Sequence, residues 1–361
     1  MALSWGREDF FFLQAASTAR LRGHPLTGSA NPGSFPGMPW PVICLGAINV
    51  DLKFQVEDLD GFLRDWGTGL SRGGEEAVSR EQEARLTGLL ARYGRPAGRF
   101  GGGMAANTAY ALACLGLPVG LVGRVGVDAD GEFLKESLAG VDLSHVVTQG
   151  ESGRAYILTD REGERTILVA PNTNDDLKER DLPWEELAAT TFLHLTALVG
   201  NGALLVQRLI AGRVPATVRI SLDPGEPYAR MGWPALEDIL DHLETLLVTE
   251  TEWRLLGGEP KVHPNWAPPL VVIKRGALGA RLLTPPRYLD FPVELGGDVV
   301  DTLGAGDVFA AGYLAGRLRG LHLNACVRLG NRAAAVSLRG AGRDSYPDRT
   351  FLERQVLALQ L

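Results

Sequence analysis

Cysteine is scarce in this chain of 361 residues, which has three, at Cys44, Cys114 and Cys326. Each lies in an apolar stretch and none belongs to a Cys-x-x-Cys pair, so the sequence favours neither a disulfide framework nor a zinc site. Long apolar runs are also missing, because none reaches the roughly 18 residues that span a bilayer, and the first residues do not resemble a signal peptide. We therefore expect a cytoplasmic protein that has no membrane partner.

A surplus of positive charge is absent as well. The chain has 36 Lys and Arg residues against 43 Asp and Glu residues, a net charge of −7, without any basic tract. No lysine follows a glycine, which excludes a P-loop, and the segment after the first apolar run lacks the three glycines of a Rossmann fingerprint. We expect no nucleic-acid partner and neither of these two nucleotide-binding motifs.

Glycine, in contrast, is abundant: its 45 residues indicate many tight turns and close backbone approaches. Residues 1–40 combine Gly, Pro, Ser and Thr without a sustained period, which predicts an irregular lead-in. Short apolar runs then alternate with helix-length patterns, as is typical of βαβ units and a parallel sheet. These runs lie at 42–46, 119–122, 192–195, 218–222, 245–248 and 270–273.

Two segments interrupt this alternation. Residues 154–170 predict two strands around a polar turn at 161–163, where a crossover helix would be expected. Residues 60–99 form a charged insertion with one helix predicted over 79–93, since Leu86, Leu89 and Leu90 share a face. We expect both segments to form a small β lid over a site, with lid segments at about 50–100 and 154–170 of a single domain spanning 41–361.

The strongest local motif is DTLGAGDVFAAG at residues 301–312. Its small residues lead directly into a helix, so their N–H groups and the helix N-terminus can converge on an anion. Asp307 lies in the first turn, where a carboxylate could take a proton from a hydroxyl that attacks phosphorus. The same residue could instead cap a buried helix, and the local sequence leaves both interpretations open.

A second glycine turn, GGGMAANTA at residues 101–109, also opens a helix. Asn107 is an amide among alanines and could bond a polyol hydroxyl close to the backbone. Because glycine-rich helix starts are common, a structural role for this turn remains an alternative.

Together these two motifs resemble the N-terminal and C-terminal signatures of the ribokinase/PfkB family of carbohydrate and nucleoside kinases, and they occur in the family's order. The resemblance extends from about Val42 to the C-terminus. The family implies a three-layer αβα fold, a mostly parallel central sheet with helices on both faces and a small β lid, with ATP and Mg²⁺ as cofactors.

The resemblance assigns roles by position. Asp307 matches the family's catalytic base. The amides that stabilise the transferring group match Gly304, Ala305 and Gly306. The positions around the substrate hydroxyls match Asp51, Gly102, Gly103 and Asn107.

On the nucleotide side the matching positions are Lys274, Gly276, Gly279 and Asn331. The family's Asn-x-x-Glu motif, which helps to place magnesium and phosphate, reads here from Thr249 to Glu252, so the glutamate is kept and the asparagine is replaced. The resemblance also places Asp301, the Leu303 carbonyl and Ser345 around a monovalent-cation site such as one for K⁺. An ordinary loop explains the last three residues equally well.

Two further departures bear on the acceptor. Met104 replaces a lysine that ribokinases proper have after the paired glycines, and the insertion at 60–99 resembles the longer lid of adenosine-kinase-like members. Both favour a nucleoside, or a sugar with a bulky substituent, over ribose. Trp66, Tyr156 and Phe54 lie in or beside the expected lid, where packing is a more common role than stacking on a base.

We thus expect an ATP-dependent kinase that phosphorylates a primary hydroxyl of a sugar or of the sugar part of a nucleoside. One alternative is a phosphofructokinase-like enzyme that binds the phosphate of a sugar phosphate through Arg154, Arg161 or Arg165. Another is a sensing protein without catalysis on the same scaffold, which Thr249 in place of asparagine would favour. A homodimer formed through the lid is compatible with the family resemblance.

Overall fold

The protein is described by a computed structural model over residues 40–258, 270–284, 287–293 and 298–360. Of the expected lead-in at 1–40, all but Trp40 lies outside these residues. The strands are β1 (Val42–Leu45), β2 (Asn49–Val56), β3 (Glu75–Ala77), β4 (Gly94–Gly102), β5 (Val119–Val125), β6 (Val146–Thr148), β7 (Gly153–Thr159), β8 (Arg165–Ala170), β9 (Phe192–Thr196), β10 (Arg219–Asp223), β11 (Leu243–Thr249), β12 (Leu270–Lys274), β13 (Ala280–Thr284) and β14 (Arg287–Phe291).

The helices follow the strands as the alternation of patterns predicts. They are α1 (Leu59–Trp66), α2 (Arg80–Tyr93), α3 (Met104–Cys114), α4 (Ala129–Glu136), α5 (Trp184–Ala189), α6 (Asn201–Arg213), α7 (Gly225–Met231), α8 (Trp233–Leu240), α9 (Glu250–Leu255), α10 (Ala305–Leu318), α11 (Leu323–Ser337) and α12 (Arg349–Gln360). Across the described ranges, no helix has the length and apolar character needed to cross a membrane.

The central sheet runs in the order β14-β13-β12-β11-β10-β9-β1-β5-β6. The strands from β12 to β6 pair in parallel, and β13 and β14 add an antiparallel edge. The six apolar runs of the sequence are β1, β5, β9, β10, β11 and β12, so the expected parallel α/β sheet is confirmed. One apolar core joins one face of this sheet to α3, α10 and α11, and a second joins the other face to α6, α7 and α8.

A second sheet of five strands, the lid sheet, has the order β3-β8-β7-β2-β4. It contains the predicted hairpin as β7 and β8. The predicted helix is α2, which packs on this sheet and begins after Ser79 in a capping box with Gln82. The side chains alternate between the faces of the sheet. Val56, Tyr156, Leu158 and Leu168 pack on α1 and α2 in a third apolar core, so the opposite face remains for a site.

This opposite face consists of residues that the strand register aligns in rows. One row contains Glu75, Ile167, Ile157 and Lys53, and the next contains Ala77, Val169, Ala155 and Asp51. A third row contains Arg165, Thr159 and Gln55. We call these the cavity rows.

Three neighbouring parallel strands end with polar residues that point to the same edge of the central sheet. Asp223 is the last residue of β10, Thr249 of β11 and Lys274 of β12. Because the carboxyl ends of parallel strands meet at one edge, where ligands bind in open α/β sheets, the fold brings these three residues together.

Candidate active site

A cavity of about 250 Å³ lies between the lid sheet and the carboxyl ends of the central strands. The lid contributes Asp51, Glu75, Ala155, Ile157, Ile167 and Val169 to its lining. Asn49, the first residue of β2, lines it as well, and the main body contributes Gly103, Met104, Asn107, Asn174, Leu198, Val199, Pro227, Glu252, Leu303, Gly304 and Asp307, among others. Two segments that are about 200 positions apart in the sequence, the two glycine motifs, thus meet in one cavity.

Asp307 lies in the first turn of α10 at the base of this cavity, and 9 % of its surface is exposed. Gly304 precedes the helix with a φ of +75°, a left-handed conformation that favours glycine and turns the chain into α10. Burial raises the pKa of Asp307 to about 7, against the opposing effect of a hydrogen bond from Asn107. A carboxyl group with this pKa is suited to accept a proton near neutral pH.

Asn107 connects the two glycine motifs directly. Its Nδ2 donates to Oδ2 of Asp307 over 2.8 Å. Its Oδ1 accepts from Nε of Arg343 over 3.0 Å, and Nη1 of Arg343 donates to the Ser137 carbonyl over 3.1 Å. Because Arg343 holds the amide oxygen, the amide nitrogen is directed at Asp307. The sequence analysis did not identify Arg343, which lies 236 positions from Asn107.

The segment Gly304, Ala305 and Gly306 forms the start of α10, where the first N–H groups have no intrahelical acceptor; that of Ala305 donates to the Thr302 carbonyl over 3.4 Å. Lys274 adds a positive charge there, since a Cβ atom placed on Gly306 would lie 3.4 Å from its Nζ. Lys274 forms an ion pair with Asp223. Although burial opposes the charge, Asp223 and Glu252 raise the pKa of Lys274, so the ammonium group stays protonated. N–H groups and an ammonium group therefore converge where an anion can bind.

Thr249 and Glu252 form a capping box at the start of α9. The Thr249 N–H donates to Oε2 of Glu252 over 2.7 Å, and the Glu252 N–H donates to the Thr249 hydroxyl over 3.2 Å. The hydroxyl of Thr249 is thus used by the helix, whereas Glu252 also lines the cavity. Burial and the nearby Asp223 raise the pKa of Glu252 to about 7.

Magnesium in kinases binds to substrate phosphates and one or two carboxylates, and keeps several waters. Within the described ranges, no group of three or more His, Cys, Asp or Glu side chains could hold a metal alone. Two carboxylates are suited to bind magnesium together with substrate phosphates. Glu252 lies at the cavity wall, and Oδ1 of Asp223 is a buried oxygen without a hydrogen-bond partner. Sequence analysis missed Asp223, although it follows the apolar run 218–222 as Lys274 follows 270–273.

Of the positions matched to substrate hydroxyls, Asp51, Gly103 and Asn107 line the cavity. Asp51 is 6 % exposed, and burial raises its pKa to about 7 against the positive charges of Arg343 and Lys53. Gly102 makes room for it, since a Cβ there would lie 2.1 Å from an Asp51 carboxylate oxygen. Gly103 has a φ of +92° and lies against the Ala47 carbonyl. The geometry explains both glycines as close backbone approaches.

Two asparagines that the sequence analysis did not assign also line the cavity. Asn174 donates from Nδ2 to Oδ1 of Asn49 over 2.7 Å, and its Oδ1 accepts from the Ile48 N–H over 3.1 Å. These bonds join β2 to the turn after the lid hairpin. The available signal was the polar sequence from Pro171 to Asn174, which directly follows the predicted hairpin at 154–170.

The remaining nucleotide-side predictions lie outside the cavity lining. Gly276 has a φ of +54° and open space where a Cβ would lie, while a Cβ on Gly279 would lie 2.0 Å from the Phe291 carbonyl. Asn331 is buried and its amide donates to the same carbonyl over 2.8 Å. The structure thus gives Asn331 a bond that holds α11 to β14, and its contact with adenine stays a prediction.

Asp301, predicted as a cation ligand, is bonded instead by groups of the protein. Nζ of Lys53 lies 2.5 Å from its Oδ2, and Nη2 of Arg165 donates to its Oδ1 over 2.7 Å. The Leu303 N–H donates to Oδ1 over 3.0 Å, and the Gly342 N–H to Oδ2 over 3.3 Å. Ser345 lies three residues beyond Gly342, and Leu303 lines the cavity. Two positively charged side chains at this carboxylate do not fit a monovalent cation there.

None of the three arginines considered for a second phosphate lines the cavity. Arg154 pairs with Asp130, Arg161 with Glu57, and Arg165 with Asp301. The three aromatic residues considered for stacking on a base also lie elsewhere. Trp66 and Tyr156 are buried in the core beneath the lid, and Phe54 stacks on Tyr156 with ring centroids 6.5 Å apart. Packing is therefore their role in this structure.

The chain is similar to known proteins in both sequence and fold. The sequence profile described as pfkB family carbohydrate kinase matches residues 83–349. An ATP-dependent ribose-1-phosphate kinase of Halopiger xanaduensis is 32% identical over 68% of this chain and 83% of the relative. A cytidine kinase of Thermococcus kodakarensis is 31% identical over 67% of this chain and 88% of the relative. The crystal structure of adenosine kinase from Sinorhizobium meliloti shares the fold, with a TM-score of 0.72, 21% identity and coverage of 88% of this chain and 99% of that one.

Proposed function

This chain belongs to the pfkB family of carbohydrate kinases and is a sugar or nucleoside kinase, and from that premise we propose that it transfers the γ-phosphoryl group of ATP to a primary hydroxyl of a nucleoside, or of a sugar with a comparably bulky substituent. The observation that carries the proposal is the bond from Asn107 to Asp307 at the base of the cavity. It places a carboxyl group with a pKa of about 7 beside the start of α10.

In this reaction Asp307 accepts the proton of the acceptor hydroxyl as its oxygen attacks phosphorus. Asn107 holds the carboxylate in place, and Arg343 fixes the amide of Asn107. The N–H groups of Gly304, Ala305 and Gly306 and the ammonium group of Lys274 face the negative charge of the group in transfer. Magnesium would be held by the phosphates with Glu252 and Asp223, and would neutralise part of the phosphate charge. The lid excludes water from this step.

The charge of the cavity lining supports an acceptor without a phosphate group. No lysine or arginine is among the described residues that line the cavity, whereas Asp51, Glu75, Glu226 and Glu252 are. A second phosphate would meet carboxylates and no basic partner, which is unfavourable for binding an anion. The phosphofructokinase-like alternative and the ribose 1-phosphate named for the Halopiger relative both require such a partner.

The apolar part of the lining supports a bulky substituent. Ala155, Ile157, Ile167 and Val169 of the lid face the cavity, and Leu198, Val199 and Pro227 line it from the main body. A nucleobase placed among these side chains buries apolar surface that free ribose would leave exposed. Asp51 and Asn107 then remain for the hydroxyl groups of the sugar.

The test is a coupled assay of ADP release with ATP, Mg²⁺ and one acceptor at a time, from adenosine, inosine, guanosine, cytidine, ribose, fructose, 2-keto-3-deoxygluconate, ribose 1-phosphate and fructose phosphates. We expect a nucleoside to give the highest kcat/KM and the phosphorylated sugars the lowest. A free sugar as the best acceptor would retain the kinase but contradict the role of the lid. If no acceptor leads to ADP release although calorimetry shows that ATP binds, the alternative of a sensing protein would be favoured.

A further inference from the structure

Asp301 begins the segment 301–306, which we call the anion loop because it leads into α10 at the anion site. The carboxylate is 6 % exposed. Each of its oxygens accepts from one backbone N–H and one cationic side chain: Leu303 and Arg165 at Oδ1, Gly342 and Lys53 at Oδ2. Four donors satisfy the carboxylate, and two of them carry a full positive charge.

Both cations belong to the lid. Lys53 is in β2 and Arg165 in β8, on the face of the cavity rows, and they lie 248 and 136 positions from Asp301 in the chain. Arg165 also donates from Nη1 to the hydroxyl of Thr302 over 2.9 Å. Within the described ranges, these are the side-chain hydrogen bonds that connect the lid strands to the anion loop.

Two other cations of the lid are paired within it, whereas Arg154 of β7 bonds Asp130 of α4 in the main body over 2.8 Å. Arg161 bonds Glu57 over 3.1 Å, and Arg72 pairs with Asp160 and Glu162. Among the described residues, Lys53 and Arg165 are thus the lid cations that bond the anion loop. Since Asp301 in turn holds the Leu303 N–H, a shift of the lid cations is transmitted to the backbone that leads into Gly304 and Gly306.

We propose that Lys53 and Arg165 latch the lid onto the anion loop through Asp301, and that they supply the positive charge at this carboxylate, so that phosphoryl transfer requires no added monovalent cation. The two residues are positioning residues: they act on the geometry of the loop amides and touch no reacting atom. A K⁺ ion at Asp301 would have to displace an ammonium or guanidinium group that is already bonded there.

The proposal rests on the proposed function only for its kinetic part, so the experiment has a second part that needs no turnover. Hydrogen–deuterium exchange of the full-length protein without ligands reports on the lid strands Gly153–Thr159 and Arg165–Ala170. We expect Lys53→Met and Arg165→Met each to raise exchange in these strands. Arg161→Ala is the matched control, because it removes a lid cation that does not reach the anion loop, and we expect it to leave exchange in both strands unchanged.

The kinetic part compares the wild-type protein in K⁺, Na⁺ and tetramethylammonium chloride at equal ionic strength, where we expect rates that agree within about twofold. Lys53→Met and Arg165→Met should lower kcat by about 10²-fold, the scale expected when loop amides are misplaced by about 1 Å. They should raise the KM of the acceptor more than that of ATP. Lys53→Arg should retain most of the activity, and Lys53→Ala should become dependent on K⁺ or methylammonium.

Activation of the wild-type protein by K⁺ of about tenfold or more would overturn the proposal, since the charge at Asp301 would then come from solution. Unchanged exchange in both methionine variants would also overturn it, since the lid would not be held by these bonds. If no acceptor is phosphorylated under any condition, the proposed function fails, while the exchange measurement still decides whether the latch exists.

Discussion

Two buried aspartates stand at the two ends of the segment 301–307, and their surroundings are opposite. Asp301 accepts hydrogen bonds from four donors. Burial alone would raise the pKa of Asp301, but the bonds from Lys53 and the other donors lower it below its usual value. Asp307 accepts one side-chain bond, from Asn107, and burial raises its pKa to about 7. The same residue type is thus a fixed charge at one end and, in the proposed reaction, the proton acceptor at the other. The hydrogen bonds to Asp301 outweigh the effect of burial on its pKa, whereas the single side-chain bond to Asp307 does not.

The largest loss of activity is expected from Asp307→Asn, which removes the carboxylate that differs from that of Asp301. Without a carboxylate to take the hydroxyl proton, kcat should fall by about 10³-fold, within the range that general base catalysis contributes. ATP binding, measured by calorimetry, should be nearly unchanged because the anion loop and Lys274 are intact. Asp344→Asn is the matched control, since Asp344 is exposed in the nearby turn. Activity of Asp307→Asn close to wild type would remove Asp307 from the mechanism.

A smaller effect is expected from Asn107→Ala, which removes the bond that favours the charged form of Asp307. The pKa of Asp307 should rise further, and kcat should fall by about 10-fold to 10²-fold, the scale of one positioned hydrogen bond in an active site. A pH profile of kcat should show its acidic limb moved to higher pH. An unmoved limb would indicate that the profile reports another group.

Arg343→Met tests the same hydrogen-bonded chain at its next member, since Arg343 bonds Asn107 and Asn107 bonds Asp307. We expect a reduction in kcat that is smaller than that of Asn107→Ala and a shift of the acidic limb in the same direction, since Arg343 acts through the amide of Asn107. Arg339→Met, an exposed arginine of the same C-terminal segment, serves as control. Equal kinetics of the two variants would confine Arg343 to a structural role.

The smallest effect concerns stability. Burial raises the folded-state pKa of Asp51, Glu75, Glu252 and Asp307 to about 7. Between about pH 4 and pH 7 the folded state therefore binds protons that the unfolded state has released, so stability falls as pH rises through this window. We expect the Tm of the protein without ligands to rise by a few degrees from pH 8 to pH 6. Asp307→Asn should reduce this slope, and a Tm that increases toward pH 8 would contradict the assignment.

The fold was predictable because its signals are local. Six apolar runs became six parallel strands, and Ser79 begins α2 where the pattern of leucines predicts a helix. The Thr-x-x-Glu sequence from Thr249 to Glu252 is itself a capping-box signature, so the role of Thr249 could have been identified from the sequence. The alternation of side chains along a strand does not reveal which of its two faces packs on the core. For that reason Tyr156 and Ile157 could not be assigned to core and cavity in advance.

The candidate site was predictable only in part. The two glycine motifs pointed to Asp307 and Asn107, but not to the bond between them. Contacts such as Lys53 with Asp301 join residues 248 positions apart, and no local pattern encodes them. The lid dimer also remains a prediction, because it concerns a surface and a second copy of the chain.

The lid sheet has one consequence for how the molecule behaves among its copies. Strand β4 pairs only with β2 among the described strands, so one side of its backbone is an unpaired edge of the lid sheet. Pro96 lacks an N–H group and lies beside a bulge opposite Phe54, and Arg95 and Arg99 flank it. Such an edge resists the addition of a foreign strand, so the lid sheet is protected from aggregation through β4.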